Sequence, residues 1–112
     1  MQCPKCLAEM TAVYFGGVEV DRCTECHGIW FDHLEHEQLR ALTGSVVIDS
    51  GAVEIGRINN HLTRISCPVC HCMLTHSTLA GPTPITVERC DRCHGVYFDA
   101  GEFSRFAASK AD

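Results

Sequence analysis

Eight of the nine cysteines fall into four Cys-x-x-Cys pairs, and the pairs themselves come in two sets: Cys3/Cys6 with Cys23/Cys26, then Cys67/Cys70 with Cys90/Cys93. Sixteen residues separate the inner cysteines of the first set and nineteen those of the second. Two cysteines three positions apart on a tight turn aim both sulfurs at one ion, and a second such turn completes a tetrahedron. This doubled spacing points to two tetrathiolate zinc sites, with Cys3, Cys6, Cys23 and Cys26 at one and Cys67, Cys70, Cys90 and Cys93 at the other. Four thiolates leave no vacancy for a substrate, so two Zn2+ per chain are expected to hold structure and not to catalyse. The same ligands also suit a single iron.

The chain has 112 residues, which the cysteines divide into two small units at 1–43 and 67–112 with a connector at 44–66. Units of this size rarely bury enough apolar surface to fold alone, and a metal supplies the missing stability. A disulfide framework is the alternative use of so many cysteines. The odd count, and the absence of a charged and apolar leader ahead of Cys3, favour metal binding in a reducing, cytoplasmic setting. No apolar run is long enough to cross a bilayer.

Charge narrows the class of partner. The formal charge is −5, and eight thiolates on two divalent ions bring it to about −9. Nucleic-acid binders carry a basic patch or stripe that neutralises phosphates, and none is visible here. A protein partner is therefore expected ahead of a nucleic acid, and a membrane is not.

The second half repeats the first. Cys23-Thr-Glu-Cys-His-Gly-Ile-Trp-Phe-Asp32 aligns with Cys90-Asp-Arg-Cys-His-Gly-Val-Tyr-Phe-Asp99, with six of ten positions identical, and Glu35 falls over Glu102. Each copy opens on Cys-Pro-x-Cys, as Cys3-Pro4-Lys5-Cys6 and Cys67-Pro68-Val69-Cys70. Together these motifs resemble the bacterial zinc-ribbon family named after the zinc-binding domain of transcription factor IIB. The resemblance covers both units and leaves the connector outside. It implies two tandem zinc ribbons with the eight cysteines as ligands.

The residues support a small metal-stabilised α+β chain, each unit a short antiparallel sheet followed by a short helix. Thr11–Phe15 and Val18–Arg22 read as strands joined at Gly16-Gly17, a hairpin signal. In the second copy His76–Leu79 and Ile85–Arg89 flank a longer turn at Gly81-Pro82-Thr83-Pro84, and Gly28–Phe31 and Gly95–Phe98 supply a third strand to each unit. Asp32 with Glu35, and Asp99 with Glu102, read as caps of helices with stripes Leu34, Leu39, Leu42 and Phe103, Phe106, Ala107. Within the connector, Val46–Ile48 and Val53/Ile55 suggest one strand or helical turn.

Several residues admit a second reading. His27, His71 and His94 each follow a Cys-x-x-Cys pair, which is also the c-type haem attachment pattern, but haem leaves the Cys-Pro-x-Cys pairs unexplained. His33 and His36 read as solvated helix histidines ahead of an open metal site. The Asp/Glu pairs read as caps ahead of acid/base machinery, so no enzyme is expected. Cys72 reads as a small core residue or spare thiol, close enough to Cys70 for ligand exchange or redox sensitivity. Strand alternation sends Trp30 and Phe31, like Tyr97 and Phe98, to opposite faces. Packing is expected to cover them, with stacking on single-stranded bases or anchoring in a protein groove as the alternative. The function these features favour is a protein-interaction or adaptor module. A nucleic-acid-binding or transcription-linked regulator comes second, on Arg89, Arg92 and Arg105, and a metal carrier or redox sensor third.

Overall fold

The computed structural model describes residues 1–51, 55, 65–79 and 84–108. The turn at 81–83, most of the connector including Val53, and the last four residues lie outside the described residues. Strands β1 (Met10–Phe15) and β2 (Val18–Cys23) form a hairpin, followed by β3 (Ile29–Phe31), helix α1 (Glu35–Arg40) and a 3-10 turn over Ser45–Ile48. The second copy gives β4 (Thr75–Leu79), β5 (Ile85–Arg89), β6 (Val96–Phe98) and helix α2 (Glu102–Ala108). Gly16 and Gly17 both have positive φ, 57° and 82°, as a two-residue hairpin turn with the strands' own twist requires.

The two units share one antiparallel sheet, in the order β1-β2-β3-β6-β5-β4. β3 and β6 join them, with Ile29 opposite Phe98, Trp30 opposite Tyr97 and Phe31 opposite Val96. Trp30 and Tyr97 occupy the same position of the two copies, so a local twofold relates the two units through that pair.

Alternation along these strands divides the interior by face. On one face Ile29, Phe31, Val96 and Phe98 pack with Val20, Leu39, Ile48, Val87, Phe103 and Phe106 beneath the helices. On the other, Trp30 and Tyr97 pack with Met10, Ile65, Leu74 and the cysteines. Trp30, Phe31, Tyr97 and Phe98 are all fully buried, so the packing reading holds for the four aromatics.

The helix entries differ from expectation in two respects. Glu35 and Glu102 do reach back to accept the Asp32 and Asp99 backbone N–H groups, at 3.0 and 2.8 Å. The aspartate side chains are used elsewhere: Asp32 accepts from Trp30 Nε1 at 3.2 Å, and Asp99 pairs with Lys5. The entry to α2 is capped from the connector, where Asp49 accepts the Gly101 and Ser104 N–H groups and the Ser104 hydroxyl, each at 2.9 Å. Leu34 does not join the α1 stripe. It sits half-exposed in the left-handed region at φ 66°, turning the chain into the helix. Among the described residues no helix is long and apolar enough to cross a membrane.

Candidate metal centres

All four Cys-x-x-Cys pairs fold into the same knuckle. The N–H of the first cysteine bonds the carbonyl five residues on: Cys3 to Ala8, Cys23 to Gly28, Cys67 to Cys72 and Cys90 to Gly95, at 2.7–2.9 Å. The residue after the second cysteine is left-handed in every case: Leu7, His27, His71 and His94 have φ of 63–66°. Histidine enters this region more readily than most residues, which accounts for its recurrence after three of the pairs.

The knuckles bring the eight predicted ligands into two groups. Within Cys3, Cys6, Cys23 and Cys26, and within Cys67, Cys70, Cys90 and Cys93, all four sulfurs lie within 4.8 Å of one another. Individual pairs span 3.3 Å (Cys6–Cys23), 3.7 Å (Cys3–Cys26) and 3.8 Å (Cys67–Cys93). Zinc–thiolate bonds of about 2.3 Å in a regular tetrahedron place sulfurs about 3.8 Å apart, so both donor sets fit the ion. Backbone N–H groups point at the sulfurs as well: Glu25 and Cys26 at Cys23, Val69 and Cys70 at Cys67, Arg92 and Cys93 at Cys90, at 3.2–3.5 Å. These bonds favour the thiolate. At Cys90 burial opposes them, and the thiol still falls to about 6.

The surroundings of the two centres differ. At the first, three cysteines are buried and only Cys6 is exposed. The Tyr97 hydroxyl, from the second copy, lies 3.2 Å from Cys3 Sγ and 3.3 Å from Cys26 Sγ, where it donates to thiolate. Lys5, between two ligands of the first knuckle, reaches across to Glu88 and Asp99 of the second copy at 2.7 Å each, with all three side chains buried. Burial pulls the Lys5 ammonium down, yet the two carboxylates outweigh it and hold its pKa above the ordinary value. Burial likewise pushes Glu88 up to about 7, against the pull of Lys5. Val69 replaces Lys5 in the second copy, so the second knuckle has no lysine with which to repeat this ion cluster.

The remaining candidates are not among the eight grouped sulfurs. His33 is exposed, but His36 is a core residue and not a solvated one: its ring packs on Phe31, Phe98 and Phe106 at 5.6–6.2 Å. Helix α1 is only six residues long, so its buried face takes in His36 beside Leu39. Among the described residues neither histidine belongs to a group that could hold a metal. Cys72 is partly exposed, and its sulfur lies 3.5 Å from Cys90 Sγ. Sequence reasoning missed Lys5 and Tyr97, whose partners lie in the other copy. The substitution of Val69 for Lys5 was the available signal.

A family model described as a transcription factor zinc-finger, of the transcription factor IIB zinc-ribbon type, matches residues 2–41 and 66–109. The chain belongs to this zinc-ribbon family, in two tandem copies. No curated protein and no solved structure matches it. Two closed tetrathiolate centres of this kind bind zinc as a structural element.

Proposed function

We propose that this pair of zinc ribbons is a non-catalytic, cytoplasmic protein-interaction module that presents its knuckle face to another protein. The observation that carries this reading is a cleft of about 440 Å3 between the two N-terminal knuckles, lined by Met1, Pro4, Leu7, Ile65, Pro68 and His71 among others. On the same two knuckles Leu7 and Val69 are exposed, at 66% and 46%, and Met73 just beyond them at 61%. Apolar side chains left in water around a concave surface suit an apolar segment of a partner. The lysine of the first knuckle is already neutralised internally, and the net charge of −5 opposes a phosphate backbone. Saturated tetrathiolate centres support a role without catalysis.

Transcription-linked nucleic-acid binding is the second reading, supported by the family's description and by exposed Arg89 and Arg92. Trp30 and Tyr97, the aromatics most suited to stacking on bases, are buried. The test is a pull-down of the tagged, zinc-loaded chain from its native lysate, with and without nuclease, beside a Leu7→Asp variant. The expected partner survives nuclease and is lost with Leu7→Asp. Partners lost with nuclease, together with recovered RNA or DNA, would put the second reading first.

A further inference from the structure

A ninth thiol, Cys72, lies beside the second centre and outside its group of four, and the first centre has no counterpart to it. Cys72 Sγ lies 3.5 Å from Cys90 Sγ, inside the 3.3–3.8 Å range of the ligand pairs. The corresponding residue of the first copy is Ala8. Cys72 is partly exposed while Cys90 is fully buried. The two cysteines also flank the β4–β5 hairpin at its open end, where Thr75 pairs with Arg89. A hydroxyl from Tyr97 covers two sulfurs of the first centre, whereas Trp30 stands at the equivalent position beside the second, and its Nε1–H goes to Asp32.

We infer that Cys72 and Cys90 are an oxidisable pair, through which a peroxide converts the second centre from a zinc tetrathiolate to a disulfide while the first centre keeps its metal. The Cys72 sulfur attacks one peroxide oxygen, the O–O bond breaks, and the thiol becomes a sulfenic acid with release of water. The Cys90 thiolate then attacks the sulfenic sulfur, forming the S–S bond and expelling hydroxide. The two sulfurs together give two electrons to the peroxide, and no other oxidant is needed. Cys90 requires no path from solvent, because within this pair the oxidant meets the partly exposed Cys72. Three thiolates remain at the second site, leaving the ion open to water and competing chelators. The new bond ties the ends of the hairpin in place of the metal, so the sheet that carries the first centre persists.

The experiment treats the full zinc-loaded chain with hydrogen peroxide, reads released zinc with a chromogenic chelator, and maps disulfides by peptide mass spectrometry. One of the two zincs is expected to leave in step with a Cys72–Cys90 disulfide, and a thiol reductant with added zinc restores both. Cys72→Ala gives the knuckle the residue that its twin already carries. That chain should bind two zincs and lose both the release and the disulfide. Release from Cys72→Ala at the parent rate would overturn the inference, as would simultaneous loss of both zincs from the parent chain or a disulfide between other cysteines. A Cys72→Ala chain that binds only one zinc would also overturn it, by making Cys72 a resident ligand.

Discussion

Trp30 and Tyr97 pair with each other across the β3–β6 junction, and each ring fills space beside a glycine of the opposite copy. A Cβ on Gly28 would collide with the Tyr97 hydroxyl, and one on Gly95 with the Trp30 ring. The Cys-His-Gly motif of each copy is therefore shaped for the aromatic of the other. Neither glycine has a positive φ, so the constraint comes from this contact and not from backbone conformation. Gly28→Ala and Gly95→Ala are each expected to cost about 3 kcal/mol in urea unfolding of the zinc-loaded chain, as overpacking in a filled core does. Tyr97→Phe should recover part of the Gly28→Ala loss by removing the nearest atom. An unchanged midpoint in both alanine variants would mean that the two copies do not pack through these residues.

Among the described residues Lys5 is the one buried lysine, and it meets two carboxylates of the other copy at 2.7 Å. Removing one partner from a buried ion pair leaves charge without compensation, which costs about 3–5 kcal/mol. Lys5→Met should fall in that range in the same assay. Adding Glu88→Gln removes one of the two buried carboxylates that face Lys5 and should return part of the loss; a further loss in the double variant would show that Lys5 acts through packing alone.

Burial, more than the neighbouring Asp99, pushes the Glu102 carboxyl from its ordinary value of 4.5 up to about 8. Between these values the folded chain holds a proton that the unfolded chain has released, so stability falls as pH rises through that window and levels off above it. Glu102→Gln keeps an acceptor for the Asp99 N–H and does not titrate. The stability difference between the parent chain and Glu102→Gln, followed from about pH 5.5 to about pH 8.5, should move steadily against the parent. Thiolate protonation is common to both chains and cancels in the difference. A flat difference curve would place the Glu102 pKa near its ordinary value.

Asp49 caps α2 with both carboxylate oxygens from more than fifty residues away in sequence. Asp49→Ala should cost about 1–2 kcal/mol, as the loss of a helix cap does. Asp49→Asn, which retains an acceptor, should cost less. Equal losses from the two variants would assign the effect to charge instead of hydrogen bonding.

Local chemistry made the metal centres and elements legible in the sequence. Thiol spacing selected eight of nine cysteines, and alternation with Gly16-Gly17 marked the strands to within about a residue or two. The join between copies was not legible, because three-residue strands such as Ile29–Phe31 carry no information on register or partner. Asp49, Lys5 and His36 escaped for a related reason. Each has its role fixed by residues distant in sequence, and an Asp in a connector or a Lys on a knuckle ordinarily faces water.

The same join determines what metal removal should do. The cluster beneath the helices draws Val20, Ile29, Phe31 and Leu39 from the first copy and Val87, Val96, Phe98 and Phe103 from the second, and the metal-face cluster holds cysteines of both. Neither copy encloses a core of its own. Structural zinc contributes about 10–16 kcal/mol per site in small zinc peptides, comparable to the whole stability of an ordinary domain. Chelation of both zincs under reducing conditions should therefore abolish amide dispersion from the two copies together, in one cooperative transition. Zinc re-addition should restore both sets of resonances together. Native resonances persisting from one copy after verified removal of both metals would show a ribbon that folds without its metal, and with it a core that the two copies do not share.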